Sequence, residues 1–147
     1  MKTTVDGVEI TLTSKQIAII AKETKKIKTI TNFRDIKTFE DACKVLPEDY
    51  KVFKKCYKLL SKDTLNYERL RIIIKAINPK GYIPDFNNSD ERKWYNWFEY
   101  VNGGFSSYST YYYDTNAVVP SALCLRTNDL AVHAAKILLE ECKEYYI

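Results

Sequence analysis

Apolar residues recur along this chain in two different rhythms, and the change of rhythm divides it. Up to residue 77 they fall three or four positions apart, the spacing of one face of a helix. Ile17, Ile20, Ala21, Thr24 and Ile27 make one such face, with Thr13 or Ser14 before it as the capping residue. Thr38-Phe-Glu-Asp is close to a capping box and opens a helix over Phe39–Leu46. Pro47 ends that helix and suits the first turn of another, running to about Ser61 with Val52, Phe53, Cys56, Leu59 and Leu60 on its apolar side. Asp63 or Thr64 is expected to cap the next helix, whose stripe is Tyr67, Leu70, Ile73, Ile74 and Ile77; Ile72 widens that face and marks the helix as central. Asn78-Pro79-Lys80-Gly81 terminates it.

Before the first helix, Asp6-Gly7 predicts a tight hairpin turn leading into a short strand over Glu9–Thr13. After Gly81 the rhythm becomes that of strands. Trp94–Val101 and Phe105–Tyr113 flank an Asn102-Gly103-Gly104 turn, and Val118–Leu125 reads as a third strand, placed at an edge by Pro120. Thr127 or Asn128 then caps a final helix with Leu130, Ala134, Ile137, Leu138 and Cys142 on its stripe. Helices and strands are segregated, which predicts an α+β fold: a helical N-terminal half packed with a C-terminal three-stranded antiparallel sheet and a final helix. At 147 residues the two regions, 1–80 and 81–147, are expected to form one compact unit. Residues 28–37 read as an irregular connector.

Composition sharpens the division. Residues 1–80 hold 18 Lys/Arg and 10 Asp/Glu, a balance of +8; residues 81–147 hold 5 and 9, a balance of −4. Twelve of the 20 aromatic residues lie within residues 82–113. The opening MKTTVDGVEITLTS interrupts the apolar stretch that a signal peptide requires, and no apolar run spans a bilayer, so a cytoplasmic protein without a membrane segment is expected. Cys43, Cys56 and Cys142 fall on apolar stripes and Cys124 in an apolar strand, with no pair at metal-ligand spacing. They read as small hydrophobes in a reducing compartment, with no metal and no cofactor implied.

The segment Gly81–Tyr100, GYIPDFNNSDERKWYNWFEY, carries Tyr82, Pro84, Asp85, Phe86, Asn87 and Asn88 as a turn; Leu123, Cys124 and Arg126 then precede a capped helix beginning with Leu130 and Ala131. In these positions, and in VEITLTSKQIAII and TFEDACKVL, the chain resembles a set of small uncharacterised proteins of bacteriophages and prophages of gut bacteria. The resemblance implies a mobile-element origin and action inside the bacterial host cytoplasm. It brings no catalytic or binding residue with it.

The aromatic hairpin is the strongest chemical feature. Alternation places Trp94, Phe98 and Tyr100 on one face of its first strand and Tyr95, Trp97 and Val101 on the other; the return strand divides Phe105, Tyr111 and Tyr113 from Tyr108 and Tyr112. A sheet covered by helices on one side needs one apolar face, so a second aromatic face is left over. Those rings either pack on one another or serve a partner. The candidate binding residues are Trp94, Trp97, Tyr108, Tyr111, Tyr113 and Arg92. Lys51, Lys54, Lys55 and Lys58, on one side of the predicted second helix after residue 38, are candidates for phosphate contact.

Catalysis finds little support in the residues. His133 is the lone histidine and sits at the edge of an apolar stripe, and no nucleophile elbow or phosphate-binding glycine loop is present. Asp85, Asn87, Ser89 and Asp90 resemble a calcium loop only loosely, with Asp90 where glycine is needed and Asn96 where a bidentate acid is needed. The expectation is a non-enzymatic accessory protein that binds a host protein or a small nucleotide-type signal. The alternatives are a nucleic-acid-binding protein using the lysine helix, and a virion structural or assembly protein in which the aromatic face joins subunits as a homo-oligomer.

Overall fold

The centre of the molecule is the helix the sequence marks as central. The structure is a computed structural model and describes residues 2–5, 8–19, 30–102, 104–117 and 119–142. Two short antiparallel strands, β1 (Lys2–Val5) and β2 (Val8–Thr11), pair with Val5 opposite Val8. The turn residues Asp6 and Gly7 lie outside the described residues. Helix α1 is described over residues 14–19. Its cap is Thr13, whose Oγ1 accepts from the Gln16 amide at 3.4 Å while the Gln16 side chain accepts from the Thr13 amide at 2.9 Å, a reciprocal capping box. The remaining positions of the Ile17 stripe, from Ile20 to Ile27, lie outside the described residues.

Three helices follow the connector: α2 (Phe39–Val45), α3 (Pro47–Cys56) and α4 (Lys62–Ile77). Thr38 caps α2 by accepting from the Asp41 amide, and Pro47 occupies the first turn of α3. The cap of α4 is Ser61, ahead of the expected Asp63 or Thr64, because Ser61 itself takes the extended backbone conformation and its Oγ accepts from the Thr64 amide at 3.3 Å. Helix α4 buries Leu70, Ile72, Ile73, Ile74, Ala76 and Ile77 against α2 on one side and α5 (Asn128–Cys142) on the other. A helix buried around this much of its circumference needs a partner on more than one side. From α5, Leu130, Ala131, Ala134, Ile137 and Leu138 complete the core.

The connector contributes more than its polar composition indicates. It holds a 3-10 turn over Phe33–Asp35 and buries Ile36. His133 on α5 ties it down: Nε2 lies 2.8 Å from the Ile36 carbonyl and Phe33 meets the ring edge-on. A carbonyl only accepts, so this geometry assigns the Nε2–H tautomer and gives the histidine a fastening role.

Strands β3 (Lys93–Val101) and β4 (Gly104–Tyr113) form an antiparallel hairpin with Trp94 opposite Tyr112 and Tyr95 opposite Tyr111. Asn102 takes the left-handed conformation at its turn, φ 52°. Among the described residues the expected third strand over Val118–Leu125 is not formed. Val118 lies outside the described residues, Ser121–Leu123 make a 3-10 turn, and only Leu125 joins the sheet, through a single bridge to Trp94. Pro120 explains this: it has no amide to give a ladder, and its carbonyl instead accepts from the Leu123 amide at 2.8 Å, closing the turn. The fold is therefore α+β with a two-stranded sheet in its C-terminal half.

One apolar stripe departs from its expected burial. Val52, Cys56 and Leu59 are exposed, Leu59 at 86%, and α3 ends at Cys56, with Tyr57–Leu59 continuing as a 3-10 turn. Helix α3 meets its neighbours through Phe53, which lies edge-on to Phe39, and through Asp49, which receives Lys75 at 2.7 Å and Arg71 at 3.9 Å. Periodicity gave the stripe correctly, but packing uses only its Phe53 side.

Candidate functional site

The hairpin rings separate onto two faces, and the separation follows from the register. Trp94 and Phe98 pack against the core, and α5 lies across the hairpin on their side. Tyr112 joins this inner face, 5.0 Å from Trp94 between ring centroids, with the Arg92 guanidinium 4.6 Å from its own centroid. Two candidate residues, Trp94 and Arg92, thus serve the helix-facing side.

The outer face carries the other set. Tyr95 is buried within it, stacked parallel on Tyr113 at 4.5 Å and tilted against Tyr111 at 6.0 Å. Burial, then the adjoining Tyr113 hydroxyl, pushes the Tyr95 phenol up to about 12. Around this stack Trp97 is 56% exposed, Tyr111 50%, and Val101 is also open. Trp97, Tyr111 and Tyr113 are therefore brought together on one open surface. Tyr108 stands in β4 opposite Phe98; its side chain lies outside the described residues.

One end of the outer face is closed by a loop, and the closure depends on Lys93. This lysine is fully buried, and its ammonium donates to the Asn88 and Asp114 carbonyls at 2.6 Å each. The Phe86 ring covers it, 5.6 Å from centroid to Nζ. The loop is stiffened by its own side chains. Asp85 accepts from the Asn87 amide and Asn88 from the Asp90 amide, each at 2.9 Å, while the Tyr82 hydroxyl donates to Glu91 at 2.9 Å. Desolvation and this bond to Glu91 raise the Tyr82 phenol well above its ordinary range. Of the residues that resemble calcium ligands, Asp85 thus has a side-chain oxygen engaged in a turn. Among the described residues no three His, Cys, Asp or Glu side chains converge as a metal site would need.

Lys93, Tyr95 and Phe86 were not among the candidates, although they organise the surface. Parity places Tyr95 and Lys93 on the Trp97 face, but burial of a lysine by two carbonyls from distant loops leaves no mark in the sequence.

The phosphate candidates lie on another element. Lys51, Lys54, Lys55 and Lys58 are exposed on α3 and the turn after it, with Lys51 bound to Glu48 at 2.7 Å and Lys58 beside the Tyr57 ring. Helix α3 packs with α2 and α4, whereas the hairpin packs with α5. A cleft of about 410 Å³ runs between α3 and α4, and one of about 620 Å³ lies beside Tyr82, Ile83 and Cys124; neither is lined by a hairpin ring. In the second cleft Lys75 binds Asp49, and Asn78 holds the Cys124 carbonyl at 2.9 Å and the Arg126 amide at 3.1 Å. Cys43 and Cys124 are buried as expected of small hydrophobes, whereas Cys56 is exposed; all three are free thiols. No helix among the described residues is long and apolar enough to cross a membrane. No family model, curated protein or solved structure matches the chain, so the reading of its function rests on the geometry of its own residues.

Proposed function

We propose that this protein acts by binding rather than by catalysis, and that the outer face of its β3–β4 hairpin receives a partner protein. In keeping with the resemblance of its turn and strand motifs, it works as a phage-type accessory protein on a protein of the bacterial host. The observation that carries the reading is the exposure of Trp97 and Tyr111 over a buried Tyr95–Tyr113 stack. Tryptophan and tyrosine at the centre of a contact supply much of the binding energy at protein interfaces. A stacked, hydrogen-bonded platform also loses little conformational freedom when a partner arrives.

Charge selects the partner's chemistry. The Lys93 ammonium is committed to two carbonyls, and Arg92 lies on the inner-face ring of Tyr112. A phosphate stacked at Trp97 would meet neither cation, which disfavours a nucleotide. Glu99 and Asp114 are exposed in the same hairpin and the turn after it, within a half of the chain that carries −4. The surface suits a partner that offers apolar side chains within a basic rim.

Selection from a displayed library of random peptides tests this. Enriched peptides should combine aromatic or aliphatic residues with Lys or Arg. Their binding should fall at least tenfold for Trp97→Ala/Tyr111→Ala protein that retains the wild-type circular dichroism. Peptides that ignore the double substitution, or that enrich for acidic residues, would refute the reading.

A further inference from the structure

The Leu125 bridge fixes the direction of every main-chain group in the hairpin. The Trp94 amide donates to the Leu125 carbonyl at 2.9 Å, and the Leu125 amide donates to the Trp94 carbonyl at 2.7 Å. Both Trp94 groups therefore point away from β4, which makes Trp94–Tyr112 a non-hydrogen-bonded pair of the ladder. The amide and carbonyl of Tyr112 must then point away from β3, and alternation gives Thr110 and Tyr108 the same direction. Among the described residues, no strand takes up this outer edge of β4.

Such an edge is ordinarily guarded by a lysine, a proline or a bulge. Strand β4, GFSSYSTYYY, contains no charged residue and no proline. Its one irregularity is the extra residue Ser106, between the Glu99–Ser107 and Tyr100–Phe105 pairs, at the turn end. Residues 107–113 are left as a regular, uncharged edge rich in residues that favour strands.

We propose that this edge pairs with the same edge of a second copy of the chain, antiparallel about a two-fold axis at Thr110. A closed two-fold contact requires a self-complementary strand, and β4 has one. About Thr110, each Ser109 stands opposite the other copy's Tyr111, so a small residue meets a large one twice on the outer face. With no charge on the strand, the pairing sets no like charges opposite each other. Helix α5 packs across the inner face, held there by the Thr110 hydroxyl donating to Asn128 at 2.7 Å. The dimer is thus a four-stranded sheet with helices on one face and the two aromatic outer faces continuous on the other. This does not rest on the protein-binding reading, since the outer faces remain open in the dimer.

Light scattering after gel filtration, from micromolar to millimolar protein, should show a species of twice the 17.2 kDa chain. Thr110→Pro removes an outward amide that the β3–β4 ladder does not use, and should raise the dissociation constant on the order of tenfold or more. Thr110→Val loses the same bond to Asn128 but keeps the amide, and should remain dimeric. Amide exchange on the wild-type protein reads the same contact without a variant: Thr110 and Tyr112 should become protected as concentration rises. A 17.2 kDa species at millimolar concentration would overturn the proposal. So would a dimer that Thr110→Pro in folded form does not weaken, or one whose Thr110 and Tyr112 amides exchange as fast as in dilute protein.

Discussion

Replacing Lys93 by methionine removes one charge and keeps the length of the side chain. In the native protein the ammonium is fully buried and donates to the carbonyls of Asn88 and Asp114, each at 2.6 Å. A hydrogen bond to a charged group contributes about 1.5–3 kcal/mol net, so two of them set an upper bound of roughly 6 kcal/mol. Two effects reduce that figure. Methionine carries no charge to desolvate, and the carbonyls belong to exposed residues whose loops can turn towards water. The expected loss is about 2–4 kcal/mol, with the thermal midpoint falling by roughly 5–15 °C for a chain of this size. Urea unfolding followed by far-ultraviolet circular dichroism measures the loss. Near-ultraviolet circular dichroism reports the Tyr95–Tyr113 stack, which should loosen when the Phe86 loop is no longer fastened. A Lys93→Met protein within about 0.5 kcal/mol of wild type, with an unchanged near-ultraviolet spectrum, would refute the argument that this lysine holds the loop over the outer face.

Burial holds the Cys43 and Cys124 thiols up to about 11 from an ordinary 9.0. The folded state keeps the more protons between those values, so stability should be full below pH 9 and fall from about pH 9 to 11. The urea midpoint should drop over that interval, and an unchanged slope in Cys43→Ala/Cys124→Ala would count against the assignment. In a Cys142→Ser background, exposed Cys56 should react with a disulfide reagent well before buried Cys43 and Cys124; equal rates would contradict the burial. Asn78→Ala removes both bonds to the Cys124–Arg126 segment, at a cost of about 1–3 kcal/mol. The Leu125 amide should then exchange faster with solvent, and unchanged exchange would show that the Trp94 bridge stands without Asn78.

Several parts of this architecture were legible because they are local. The cap at Thr38, Pro47 in the first turn of α3 and the stripe of α4 depend on neighbouring residues or on the 3.6-residue period. Alternation also divides Tyr111 and Tyr113 from Tyr108 and Tyr112 as the pairing has them, but it sets Phe105 with Tyr111 and Tyr113, whereas the extra residue Ser106 places Phe105 opposite Tyr100. The structure departs from the sequence pattern where a local signal is compatible with two outcomes. Val118–Leu125 has the composition of a strand, yet Pro120 cannot serve a ladder and the segment closes a 3-10 turn instead. The apolar side of α3 has a helical period, but a period does not state what covers it. Ser61 rather than Asp63 or Thr64 caps α4, a shift within the usual ambiguity of helix ends.

Segregation of helices from strands, the central place of α4 and a surplus of hairpin rings over one buried face are all written in the order of the residues. Which rings are covered depends on how the elements pack. Helix α5 packs on the Trp94 and Phe98 side, which leaves Trp97 and Tyr111 open. Packing also makes Lys93 the fastening of the outer face, through carbonyls of Asn88 and Asp114 that lie 5 and 21 residues away. The physical reason is the range of the interactions. Caps and periodicities are written within a few residues, whereas burial and main-chain acceptance are settled when distant segments meet.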